Sequence, residues 1–138
     1  MRNHIIPIIV LLCACTPEDK PANLAPTIEI TSHRNGEPVQ EGIPVIFEAI
    51  VTDGNDAFSD LTVEWTVYEE ELCEATAPDE DGISTCEAVL TLEDDEIEAL
   101  VTDAPGAMRW DTVTLSILEN NAPEVTIDTP NGSENYYS

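Results

Sequence analysis

Between Leu61 and Val67, apolar and polar side chains alternate without a break. Leu61, Val63, Trp65 and Val67 take one side and Thr62, Glu64 and Thr66 the other. A period of two is that of a strand with one buried face; a helix would scatter this set around its circumference. Trp65 is the largest side chain of the set and the expected centre of a core. The pattern recurs in Ile28 and Ile30; in Val45, Phe47, Ala49 and Val51; in Ala88, Leu90 and Leu92; in Ile97, Ala99 and Val101; and in Val113, Leu115 and Ile117. Turn chemistry separates the series: Asn35-Gly36, the polar run Thr52–Asp60, Glu93-Asp94-Asp95 and Asp103-Ala104-Pro105-Gly106. Pro44 lacks the amide of an interior ladder and is expected to open its strand. Leu100 and Leu118 break the alternation, the first expected over a sheet edge and the second toward a following domain. Trp110 either caps the core or stays exposed. No segment carries a helical period, so the expectation is all-β: an antiparallel sandwich of about seven strands, in which two sheets bury their apolar faces together.

The 138 residues allow one ordinary domain, and the 42% hydrophobic content suffices for a modest core. With 29 acidic against 4 basic side chains, the net charge is -25. Such a surface repels nucleic acid and anionic membranes, and favours cations or basic partners.

Arg2 and His4 precede the apolar run Ile5–Leu12, which is short for a membrane span but suits an export signal. Leu12-Cys13-Ala14-Cys15 resembles the lipobox of bacterial lipoproteins. The resemblance implies diacylglycerol transfer to Cys15, removal of residues 1–14, and acylation of the new amino terminus. Thr16 follows in place of the aspartate associated with inner-membrane retention, so an outer-membrane destination is expected. Residues 15–26, rich in proline, read as a flexible tether. Cys73 and Cys86 then remain as an even pair in an oxidising compartment and are expected to form a disulfide. Their short separation argues against a bridge across sheets and for a restrained loop at a sheet edge.

Ala122-Pro123-Glu124-Val125-Thr126-Ile127-Asp128 resembles Ala25-Pro26-Thr27-Ile28-Glu29-Ile30-Thr31, and Asn131-Gly132 follows as Asn35-Gly36 does. The expected organisation is a sandwich over 27–118, then a linker and the start of an incomplete second domain over 119–138. Ala25–Ile30, Gly42–Phe47, Val51–Gly54, Val63–Trp65, Val101–Asp103 and Asn120–Pro123 together resemble the immunoglobulin-like modules of bacterial extracellular proteins, including PKD-like and cadherin-like domains. That resemblance implies a seven-strand sandwich, used in tandem for adhesion, spacing or glycan recognition.

Asp53, Asp56 and Asp60 crowd one interstrand loop, and Asp103 ends a strand that can reach the same pole. These four are candidate calcium ligands, because calcium takes several hard oxygens; a solvated acidic surface is the alternative. Glu119 and Asn120 are candidates for a cation site at an interdomain joint, as in cadherin-like linkers. Asp79-Glu80-Asp81 reads as a solvated acidic loop. No nucleophile–base pair, zinc cluster or phosphate-binding glycine loop is legible, so no enzymatic activity is expected. His33 reads as a surface residue. The expected role is a membrane-anchored structural or interaction module, acting as a spacer or adhesion domain. The alternative is a module that binds an envelope protein or a glycan, with calcium-dependent rigidity; Phe58, Tyr68 and Trp110 are its candidate aromatic platform.

Overall fold

The computed structural model describes residues 22–124. Cys13, the lipid-acceptor candidate Cys15, and most of the repeated segment, from Val125 onward, lie outside the described residues. Nine strands form, against the expected seven: β1 (Thr27–Ile30), β2 (Pro38–Gln40), β3 (Pro44–Thr52), β4 (Thr62–Val67), β5 (Glu70–Thr76), β6 (Ile83–Val89), β7 (Glu96–Thr102), β8 (Met108–Thr114) and β9 (Ser116–Leu118). They make an immunoglobulin-like sandwich with a three-stranded sheet, β1-β3-β6, and a four-stranded sheet, β5-β4-β7-β8. Every pair within these two sheets is antiparallel.

The two extra strands come from a break in the last apolar series. The Leu115 N–H donates to the Asp95 carbonyl at 2.7 Å, the last bond in the β7–β8 register, and the next N–H, that of Ser116, donates to the Glu37 carbonyl at 2.9 Å. Ser116–Leu118 thus pairs with Pro38–Gln40, and this one pair is parallel, a departure from the wholly antiparallel expectation. Strand β2 follows the Asn35-Gly36 turn, in a stretch without an alternating apolar series. Strand β5 carries no alternation in its sequence, Glu-Glu-Leu-Cys-Glu-Ala-Thr, and forms because β4 offers it a partner across the Tyr68–Glu69 turn.

The strands bury the set that alternation picks out, with four exceptions. Ile28, Val45 and Ile117 are only half-buried, and Leu92 stays 47% exposed because β6 ends at Val89. At the centre, Trp65 of the four-stranded sheet packs on Phe47 of the three-stranded sheet, with ring centroids 6.0 Å apart. The indole N–H donates across the core to Ser84 Oγ of β6 at 3.0 Å, so the one polar atom of Trp65 is satisfied without water. Trp110 is 62% exposed on the outer face, opposite Leu100 in register.

Cys73 and Cys86 form a disulfide with a Cα–Cα distance of 5.8 Å. The edge-loop expectation is wrong in one respect. Although β5 and β6 are consecutive, they belong to different sheets, so a separation of 13 residues still bridges the sandwich. Cys73 is registered with Trp65, and Cys86 with Phe47. The covalent bond therefore joins the in-sheet neighbours of the two aromatic rings that meet in the core.

A closed loop of this size contributes about 3 kcal/mol by chain entropy. Substituting both cysteines by alanine, or adding reductant, is expected to lower Tm by about 10–20 °C while leaving the β-sheet circular dichroism intact below the transition. Differential scanning calorimetry with and without reductant measures this directly.

Candidate functional site

Register places the loops at two poles. Thr27 pairs with Thr52 and Thr62 with Thr102, so the starts of β1 and β4 and the ends of β3 and β7 share an entry pole. Gly82 joins them, since its carbonyl accepts the Val51 N–H at 2.8 Å. Its φ is +79°, and a Cβ there would lie 2.6 Å from Val51 O and 2.8 Å from Phe58 Cζ, so only glycine fits this closure. At the opposite, exit pole, Pro44 pairs with Val89 and Val67 with Ile97, and the chain leaves from β9.

Asp53 ends β3 and Asp103 ends β7, in opposite sheets but at the same pole, and Asp56 lies in the loop after β3. One carboxylate oxygen from each lies within 4.8 Å of the others. Asp53 Oδ1 accepts the backbone N–H groups of Asn55 and Asp56, both at 2.8 Å. Its Oδ2 is buried and has no hydrogen-bond partner among the described residues. Asp103 is 4% exposed and fully engaged. Its Oδ1 accepts the N–H of Gly106 at 2.7 Å and of Ala107 at 2.6 Å, closing the β7–β8 turn, and its Oδ2 accepts the Asn23 side-chain amide at 2.7 Å.

The same amide contacts clasp the incoming chain. Asn55 Oδ1 accepts the Leu24 N–H at 2.8 Å, Asn55 Nδ2 donates to Asn23 Oδ1 at 3.1 Å, and the Leu24 side chain lies against Gly54. Asn23 and Leu24, within the stretch that reads as spacer, are thus attached to the pole. Neither asparagine stands out in the sequence; only the Asp-Gly-Asn-Asp turn composition around Asn55 hints at an organised loop.

The charges are unequal in their balance. Burial pushes the Asp56 carboxyl above its ordinary value, and the negative charges of Asp53, Asp103 and Asp60 push it further; the Asn55 amide only partly offsets them. Burial would also raise Asp103, but the N–H donors of Asn23, Ala107 and Gly106 outweigh it and hold that carboxyl below its ordinary value. The cluster therefore consists of a well-hydrogen-bonded carboxylate, one with an orphaned oxygen, and one under electrostatic stress. Hard oxygens in this number suit a calcium-like cation rather than zinc or copper, and other ligands must complete the usual six to eight.

The remaining sequence-predicted residues do not join this group. Asp60 ends a 3-10 turn, Phe58–Asp60, and acts on the cluster only through its charge. Glu119 and Asn120 lie at the exit pole, at the other end of the sandwich; Asn120 Oδ1 accepts the Gln40 amide at 3.1 Å. Asp79 organises its own loop, its Oδ1 accepting the N–H of Asp81 at 3.0 Å and of Ile83 at 2.8 Å. The three aromatic candidates do not share a face. Phe58 sits at the entry pole and Trp110 on the outer sheet face, while Tyr68 occupies the β4–β5 turn at the exit pole. There the Tyr68 hydroxyl donates to Asp95, and that bond, together with burial and the surrounding carboxylates, pushes the phenol up to about 12. His33 is half-buried and packs on Phe47 with centroids 5.0 Å apart, rather than standing clear on the surface.

No protein-family model matches the chain. A search of the curated proteins also returns no match. Among solved structures, the chain is similar to titin domain M4, at 22% identity and a TM-score of 0.50 over 70% of this chain and 99% of that one. It is also similar to the titin I-band fragment I67-I69, at 14% identity and a TM-score of 0.52 over 71% of this chain and 34% of the fragment. The Ig1-2 module of the Drosophila receptor protein tyrosine phosphatase DLAR matches at 16% identity and a TM-score of 0.51, over 71% of this chain and 51% of the module. At these identities the likeness shows the immunoglobulin-like fold.

The raised pKa of Asp56 fixes the sign of one outcome. Its ionised form is disfavoured in the folded protein, so its cost is present above the raised folded value and disappears at lower pH, where the carboxyl is protonated in both states. Asp56→Asn is expected to raise Tm by a few degrees at pH 7 in the absence of divalent cations, and to leave it unchanged near pH 3. Thermal unfolding of both proteins across this range is the check.

Proposed function

We propose that the chain is an extracytoplasmic spacer: an immunoglobulin-like strut held to the bacterial envelope through acylated Cys15, which carries whatever follows residue 124 away from the membrane. The observation that supports this reading is the position of the two chain ends. The chain enters at the pole of Asn23 and leaves at the pole of Asn120, each end hydrogen-bonded to the body of the domain. A module entered at one pole and left at the other transmits its full length to the next element, and the inter-sheet disulfide resists separation of its layers. The immunoglobulin-like neighbours, several of them taken from tandem arrays, are compatible with such a role. The lipobox-like Leu12-Cys13-Ala14-Cys15 supplies the anchor in this reading, with the outer membrane as destination. Two or more acyl chains anchor far more firmly than one. PKD-like or cadherin-like kinship, a second module beginning near Ala122, and adhesion to an envelope protein or a glycan belong to the same proposal.

The orphaned oxygen of Asp53 favours a calcium-dependent elaboration. A cation held by Asp53, Asp56 and Asp103 would relieve the stress on Asp56 and stiffen the joint where the tether meets the domain. With three carboxylates, the expected affinity falls in the weak range of extracellular modules, about 0.1–1 mM.

Two measurements test these readings separately. Mass spectrometry of the protein from membranes of its host is expected to show an amino-terminal peptide that begins at an acylated Cys15; an unmodified soluble chain that retains residues 1–14 would overturn the anchor. Calcium at about 5 mM is expected to raise the Tm of the wild-type protein and not that of Asp53→Asn, with magnesium less effective. Equal shifts in the two proteins would remove the cation from the reading and leave the strut untouched.

A further inference from the structure

In a chain with a net charge of -25 and only 4 lysines and arginines, a place where basic side chains gather stands against the general field. One such place exists among the described residues, on the side of the sandwich between β1 and β8. His33 and Arg34 line an open cleft of about 290 Å³ there, together with Asn35, Asp111 and Thr112. Ile30 and Val113 form its apolar floor.

Hydrogen bonding within the protein engages the carboxylate of this cleft and leaves several side-chain donors over. Asp111 is its one carboxylate, and each oxygen accepts one backbone N–H: Oδ2 that of Ile30 at 2.8 Å and Oδ1 that of Thr112 at 3.0 Å. Asn35 Oδ1 accepts the Thr114 N–H at 2.8 Å, which leaves the side-chain NH2 for a ligand. His33 Nδ1 pairs with Ser32 Oγ at 2.8 Å and its ring is steadied on Phe47, so Nε2 is the nitrogen left over. Arg34 donates its backbone N–H to Glu37 Oε2 at 3.0 Å, while its guanidinium forms no ion pair among the described residues.

We propose that this cleft binds a carboxylate carried on a small hydroxylated ring, the chemistry of a hexuronic acid. The Arg34 guanidinium matches a carboxylate with two parallel hydrogen bonds, a geometry that lysine does not offer. The Asn35 amide and the Thr112 hydroxyl reach the ring hydroxyls, and Ile30 and Val113 underlie the apolar face of the ring. The volume lies at the small end of ligand sites and holds one ring rather than a longer chain. The net negative charge of the protein opposes an anion at long range, but at physiological salt that field is screened beyond about 8 Å. Within the cleft the Arg34 guanidinium stands against one carboxylate, Asp111, whose charge the Ile30 and Thr112 N–H groups partly offset. Binding is expected to be weak, with a Kd of about 1–10 mM, as suits a single ring repeated along a polymer. This site is separate from the acidic pole and depends on neither the lipid anchor nor a cation.

The test is an NMR titration of the 15N-labelled chain with sodium glucuronate, alongside glucose, sodium chloride at matched ionic strength, and N-acetyl-dialanine with a free carboxylate. Saturable shifts are expected at Ile30, Arg34, Asn35 and Thr112 with glucuronate; glucose and chloride should leave them unmoved, and the peptide should bind at least tenfold more weakly. Arg34 is exposed, so Arg34→Gln should keep the remaining spectrum and lose at least tenfold in affinity. The absence of a saturable shift, an equal response to chloride or glucose, or undiminished binding by Arg34→Gln would overturn the site. A peptide that binds as tightly as glucuronate would overturn the assignment to a sugar acid.

Discussion

The contact on which the sandwich depends is the one between Trp65 and Phe47. Each ring comes from a central strand of its sheet, β4 and β3, and each is registered beside one cysteine of the disulfide. Hydrophobic burial and the covalent link therefore act at one place instead of two. Two fully buried aromatic side chains contribute several kcal/mol, comparable with the net stability of a small domain, and the disulfide adds about as much again by restraining the unfolded chain. The bond from Trp65 to Ser84 fixes the orientation of the ring, because a buried indole N–H without an acceptor would cost about 1–3 kcal/mol. Ser84 is one of the few polar residues in the core, and this hydrogen bond accounts for its burial.

Fixing the centre in this way frees the poles to carry charge. A chain so acidic pays an electrostatic penalty wherever carboxylates converge, and it escapes that penalty over most of its surface by keeping them in water. The entry pole departs from this arrangement. Two strand ends from opposite sheets bring Asp53 and Asp103 together, and backbone N–H groups neutralise much of the first pair of oxygens. Asp56 bears what is left. The incoming chain takes part in the same balance, since Asn23 donates to Asp103 and Asn55 ties Asn23 and Leu24 in place. The geometry of the tether and the charge state of the pole are thus linked through one amide.

Much of the fold is legible in the sequence because β-sheet alternation reports burial directly. Phe47, Ala49, Val51, Val63, Trp65, Ile97, Ala99 and Val101 all lie inward, and each was identifiable from its period of two. What was not legible depends on partners. Strand β5 has no buried face of its own, and its existence follows from the free edge of β4. Strand β9 arises where the chain passes from the β7–β8 ladder to β2, between Leu115 and Ser116. The disulfide was legible as a pair but not as an inter-sheet bridge, because sequence separation does not reveal that successive strands change sheets. The candidate site divides in the same way: aspartates at strand ends could be grouped by their position after alternating segments, whereas the roles of Asn23 and Asn55 require knowing which loops meet.

The few basic residues show why charge counts alone mislead about binding. A net charge of -25 predicts repulsion of anions at long range, yet recognition is decided within a few ångströms, by which donors and acceptors remain after the protein has satisfied its own. Around Arg34 the side-chain acceptors are engaged: Asp111 with two backbone N–H groups, and the Asn35 carbonyl with a third. Those bonds hold β1, β8 and the turn between β1 and β2 in place, so their first role is structural. Their by-product is a cleft in which the Arg34 guanidinium and the Asn35 amide donors stand beside a carboxylate already engaged by backbone N–H groups, on the side of a strongly acidic protein.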